Sequence, residues 1–112
     1  MLNNKRIAIL GLGYVGLPLL VEFSKNFQVI GFDLFKKRIS QLRNAKDFTN
    51  EVNRNELKPL KNSFTHKEED LAKANVYIVT VPTPINLKKE PDLSPIKNAC
   101  EIIGRYLKKK DL

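Results

Sequence analysis

Apolar residues fall along this chain in short continuous runs, separated by longer stretches in which they recur at helical spacing. Residues 7–10 (Ile-Ala-Ile-Leu) form an unbroken apolar run, the pattern of a strand covered on both faces. Leu17, Leu20 and Val21 then repeat as one helix face, and residues 27–32 make a second apolar run that stops at Asp33. Residues 36–44 predict a helix burying Ile39 and Leu42. Residues 45–60 are polar and irregular, with a helical turn over 53–57 stopped by Pro59. A short strand is predicted over 63–66, a short helix over 68–73, and a third main strand over 76–81, rich in β-branched and aromatic residues. Ser94 before Pro95 predicts a helix start, with a capping hydroxyl and proline at the first helical position. Ile96, Ala99, Cys100, Ile103 and Leu107 would line the apolar face of that helix. Strands alternating with helices, without internal repeats, argue an α/β fold: a parallel sheet with flanking helices. The alternation calls for another strand after the last helix, so the sheet is expected to be incomplete on its C-terminal side.

Between the first run and the first helix stands Gly11-Leu12-Gly13-Tyr14-Val15-Gly16. Strand, glycine turn, helix, second strand and terminal acid each have a separate job in holding a dinucleotide. Gly11 permits the tight turn, Gly13 lets the backbone approach a pyrophosphate, and Gly16 lets the helix pack closely. A helix opening near Tyr14 would turn unpaired N–H groups and its positive dipole end to the phosphates. Pro18 is tolerated in the first turn. Asp33 stands where a carboxylate accepts hydrogen bonds from the adenosine ribose, and a 2′-phosphate there would meet like charge, which favours NAD over NADP. Lys36, Lys37 and Arg38 form a basic cluster that could receive a phosphate. The two lysines read as the solvated first turn of the next helix. Arg38 stays open, since one turn past Asp33 it could lie over the adenine ribose.

The length of 112 residues supports one domain, and a hydrophobic fraction of 42% describes a globular chain. Lys5 and Arg6 ahead of an apolar stretch imitate a secretion signal. However, glycines interrupt that stretch, no small-residue cleavage site follows, and it is too short to span a bilayer. A cytoplasmic protein without membrane attachment is expected. The single cysteine, Cys100, excludes an intramolecular disulfide and a cysteine-rich zinc site. On an apolar helix face it reads as a buried, inert thiol. His66 is a lone imidazole, read as structural or exposed. The net charge of +8 raises nucleic acid as a partner. Yet the lysines alternate with acids, as in Lys67-Glu68-Glu69-Asp70, and no aromatics are interleaved with them. No nucleic acid is expected; the positive balance suits an anionic cofactor or a nucleotide.

The segments IAILGLGYVGLPL, VIGFD and VYIVTVPTPIN…PDLSPI together resemble the UDP-glucose/GDP-mannose dehydrogenase family, and within it the UDP-N-acetylhexosamine 6-dehydrogenases of surface and capsular polysaccharide pathways, the Vi-antigen type included. The resemblance covers essentially the whole chain but only the first part of a family chain. It implies a Rossmann-like NAD-binding domain over residues 1–112. The enzyme implied oxidises the C6 alcohol of a UDP-sugar to a carboxylate with NAD in two successive steps, through a catalytic cysteine. Gly11, Gly13, Tyr14, Val15 and Gly16 would contact the pyrophosphate, Asp33 the adenosine ribose with Arg38 nearby, and Thr83 the nicotinamide half. The catalytic cysteine, its helpers, the next strand, the central helix and the UDP-binding domain are expected beyond Leu112, so Cys100 is not the nucleophile and no catalytic residue is expected in this chain. The resemblance also implies a homo-oligomer, and the edge of the third main strand is expected to self-associate if left unpaired. Two other readings stay open on the residues alone: a different Rossmann dehydrogenase, against which the VPTP loop speaks, and a non-catalytic NAD-binding module.

Overall fold

A computed structural model describes residues 5–85 and 87–112. Four parallel strands, β1 (Arg6–Leu10), β2 (Gln28–Phe32), β3 (Phe64–Thr65) and β4 (Val76–Val79), form one sheet in the order β3-β2-β1-β4. Helices α1 (Gly16–Ser24), α2 (Lys36–Arg43), α3 (Arg54–Leu57) and α4 (Ser94–Tyr106) and two 3-10 segments, Lys58–Ser63 and Glu68–Lys73, make the connections. This is the first-half order of a doubly wound nucleotide-binding sheet, whose direction of winding reverses between β1 and β4.

The central strand explains the two layers. Successive side chains of β1 point to opposite faces. Ile7 and Ile9 join Leu17, Leu20, Ile39, Leu42 and Leu57 in one core, while Ala8 and Leu10 join Phe32, Leu71, Ala99 and Ile102 in the other. Both faces of β1 are therefore covered, which is why its sequence is apolar without alternation. Arg43 ties α2 to the sheet by donating Nη2 to the Phe64 carbonyl at 2.7 Å.

Several expectations are corrected. Pro59 does not stop the chain's coiling: it occupies the start of the 3-10 segment, where its fixed φ fits and its missing N–H costs nothing. Ser94 is the first helical residue rather than the cap. Leu93 holds the cap position, without a side-chain cap bond; the Asp92 carboxylate before it accepts from the Ser94 N–H at 2.9 Å, and this hydrogen bond and a second to the Ser94 side chain hold it below the usual carboxylate range. Helix α4 buries Ala99 and Ile102, so Cys100, expected inside, is exposed, and Leu107 is exposed as well. The expected open edge of β4 is partly taken: the Tyr77 N–H donates to the Leu112 carbonyl at 2.7 Å and the Leu112 N–H to the Asn75 carbonyl at 2.9 Å. Among the described residues no helix is long and apolar enough to cross a membrane.

Candidate functional site

Where the sheet reverses direction, the turn after β1 meets the segment after β4. Gly11 has φ +99°, a left-handed conformation, and a Cβ there would lie 2.8 Å from the Thr80 carbonyl oxygen. A Cβ on Gly16 would overlap the Gly11 carbonyl oxygen and Thr80 Oγ1, so α1 packs directly onto the turn that precedes it. Around Gly13 an added Cβ would meet nothing within 4 Å. The Thr80 hydroxyl, which the sequence did not single out, closes the arrangement by donating to the Gly11 carbonyl at 2.7 Å.

Helix α1 begins at Gly16, two residues later than the expected opening near Tyr14. The Leu17 N–H nevertheless reaches back to the Gly13 carbonyl at 3.3 Å, so Tyr14 and Val15 lie inside its first turn, both strongly exposed. The N–H groups of Tyr14, Val15 and Gly16 precede this first intrahelical bond, the position in which a helix end leaves donors for an anion.

Asp33 and Arg38 grip the peptide between the glycines. Asp33 Oδ2 accepts from the Leu12 N–H at 3.1 Å, and Arg38 Nε donates to the Leu12 carbonyl at 2.8 Å. The second Asp33 oxygen accepts from the Phe35 N–H at 3.0 Å, which orients the carboxylate at the end of β2. Arg38 is held in turn by Asp47, 3.0 Å from Nη1, and Nη2 is buried without an acceptor. Asp47 lies in the segment read as irregular. Its fully buried carboxylate accepts from the Thr49 hydroxyl at 2.6 Å and from the N–H groups of Thr49, Glu51 and Val52. Burial pushes this carboxyl up, but those hydrogen bonds outweigh it and leave it below its ordinary value.

These groups border a cleft of about 670 Å³ that contains Gly11, Gly13, Tyr14, Val15, Asp33, Arg38 and Thr83. Of the eight residues expected at the site, only Gly16 lies beneath the surface rather than on it. Lys37, read as merely solvated, also borders the cleft. An apolar pocket of about 290 Å³ adjoins it, walled by Phe32, Leu34, Val81, Pro82, Ala99 and Ile102, with Asn98 as a polar group. Sequence reasoning missed Thr80, Asp47 and Asn98. Asp47 carries one local signal, the Asp-x-Thr spacing by which an acid caps its own turn.

The chain is 52% identical over 112 residues to the UDP-N-acetyl-D-glucosamine 6-dehydrogenase of Pseudomonas aeruginosa, a match covering 99% of this chain and 26% of the relative. It is 48% identical to the enzyme of the same name from Salmonella typhi, with the same shares covered. It thus spans about a quarter of the length of these relatives. Among solved structures, the UDP-D-ManNAc dehydrogenase of Pyrococcus horikoshii superposes with a TM-score of 0.87 at 31% identity, covering 96% of this chain and 27% of that one. A ternary complex of GDP-mannose dehydrogenase from Pseudomonas aeruginosa superposes with a TM-score of 0.81 at 25% identity, covering 94% and 26%. Strand order, glycine turn, acid and cleft agree with the match of residues 5–112 to the NAD binding domain of the UDP-glucose/GDP-mannose dehydrogenases, and it is to that family that the chain belongs.

Proposed function

We propose that this chain is the NAD-binding end of a nucleotide-sugar 6-dehydrogenase. The whole enzyme would oxidise the C6 alcohol of a UDP-N-acetylhexosamine to the uronate, supplying surface polysaccharide synthesis in the cytoplasm as a homo-oligomer, with no nucleic-acid partner. The observation that carries the reading is identity of 52% along essentially the full chain to a UDP-N-acetyl-D-glucosamine 6-dehydrogenase.

The site's shape supports the cofactor. Gly13 is the one glycine of the turn that nothing among the described residues requires to lack a side chain, as a backbone left bare for a ligand would be. The turn of Gly11, Gly13, Tyr14, Val15 and Gly16 would hold the pyrophosphate, chiefly through the N–H groups of Tyr14, Val15 and Gly16, since the Gly11 N–H donates to the Phe32 carbonyl at 2.9 Å. Asp33, fixed by two backbone donors, keeps lone pairs for the ribose hydroxyls, with Arg38 beside it. The adjoining apolar pocket has the character of an adenine site, and Thr83, which borders the cleft, would reach the nicotinamide half. Bound NAD supplies a hydride acceptor; these residues bind and orient it. We place the catalytic cysteine in the part of the enzyme outside this chain, and Cys100 has no part in the chemistry.

Titration calorimetry should show NAD binding, and Gly13→Ala should weaken it about tenfold or more while leaving the thermal midpoint unchanged, because the added methyl meets only the ligand. Absence of NAD binding at millimolar concentration on a folded sample would overturn the reading.

A further inference from the structure

We propose that Asp47 is a positioning residue for cofactor choice, acting through Arg38 to keep the site selective for NAD over NADP; this deepens, and rests on, the NAD reading above. Recognition of a phosphate by arginine is strongest when two adjacent guanidinium donors engage it as a fork. Here Nε donates to the Leu12 carbonyl at 2.8 Å, and Nη1 stands 3.0 Å from Asp47 Oδ1 in an ion pair. Nη2 has no acceptor but is itself buried, so a ligand could take it together with Nη1 as a fork only if Arg38 turned away from Asp47. Asp47 also places a negative charge against the guanidinium, which offsets the Arg38 charge beside Leu12, where Asp33 lies; Lys37 is the other cation bordering the cleft. The Arg38 side chain is 13% exposed and that of Asp47 fully buried, so solvent screens the pair weakly. Asp47 is itself held by four hydrogen bonds from residues 49–52, which makes the anchor rigid. Asp33 repels a 2′-phosphate directly; Asp47 withholds the cation that would otherwise welcome it.

The test is calorimetric titration of NAD and NADP into the wild-type protein, Asp47→Asn, Arg38→Lys and the double variant, with circular dichroism to confirm folding. Asp47→Asn should narrow the NAD-to-NADP affinity ratio about tenfold, chiefly by tightening NADP, since a charge-assisted fork is gained. Lysine has no fork, so in the Arg38→Lys background the same substitution should change the ratio by less than about twofold. An unchanged ratio in folded Asp47→Asn, or an equal narrowing in both backgrounds, would overturn the proposal while leaving NAD binding itself intact. Loss of NAD binding by the wild-type protein would instead overturn the cofactor reading. Should Asp47→Asn fail to fold, nitrogen NMR of the wild-type Arg38 side chain decides. Hindered rotation about the Cζ–Nη1 bond should persist in the NAD complex, and its loss on NAD binding would mean that Arg38 leaves Asp47 for the cofactor, against the proposal.

Discussion

Three glycines in one hexapeptide are kept free of side chains for three different reasons. Gly11 needs a left-handed φ and has the Thr80 backbone against it. Gly16 needs room for the Gly11 carbonyl, and Gly13 has no internal requirement at all. The contrast is measurable in stability alone. Gly16→Ala should cost about 3 kcal/mol in urea unfolding, since the groups it meets are a backbone carbonyl and a hydroxyl already hydrogen-bonded to it. A Gly16→Ala protein as stable as Gly13→Ala would show that α1 does not pack on the turn in this way. The motif itself was legible, and so was Asp33. Arg38's partner was not, because the pairing of Arg38 with Asp47 depends on how the polar segment after α2 folds back, and periodicity is silent about polar segments.

Helix α4 shows where apolar pattern stops short. Ile96, Cys100, Ile103 and Leu107 make one stripe, and Ala99, Ile102 and Tyr106 another, offset by one residue, about 100°. Only the surface it packs on decides between them: Ala99 and Ile102 join the core of Ala8, Leu10, Phe32, Leu71 and Ala74, with Ile103 and Tyr106 partly buried against it. Cys100 is thereby turned outward. In the native protein it should react with an aromatic disulfide reagent at a rate close to that of a free thiol, and Cys100→Ser should leave both the melting temperature and NAD affinity unchanged. A thiol protected until the protein unfolds would place the helix in the other phase. Strand β1 was easier, since burial on both faces erases any alternation, and α2 likewise, since Ile39 and Leu42 are its only buried residues. Strand β4 ends at Val79, before the expected 81, because its partner β1 ends at Leu10 in the glycine turn; the Thr80 N–H makes the last bond to β1, at 2.8 Å to the Leu10 carbonyl, and its hydroxyl serves the turn.

In the molecule as a whole, the sheet order β3-β2-β1-β4 brings both halves of the cleft to one end, and Leu112 already occupies backbone positions beside β4. In native-state hydrogen exchange, the Tyr77 amide should therefore be protected, although β4 is the outermost strand. Exchange as fast as in a disordered peptide would mean that the pairing is absent in solution. The Thr80–Gly11 hydrogen bond joins residues 69 positions apart, between segments that have no structure in common until β1 and β4 are paired. No excised peptide carrying the glycine turn can therefore reproduce the phosphate cradle, which comes into being with the cooperative fold and vanishes with it. Affinity and global stability become a single linked equilibrium: at about a hundred times its dissociation constant, NAD should add about 2.7 kcal/mol to the unfolding free energy. That gain should raise the midpoint of every structural probe together, α3 included, although none of its residues lines the cleft or the adjoining pocket.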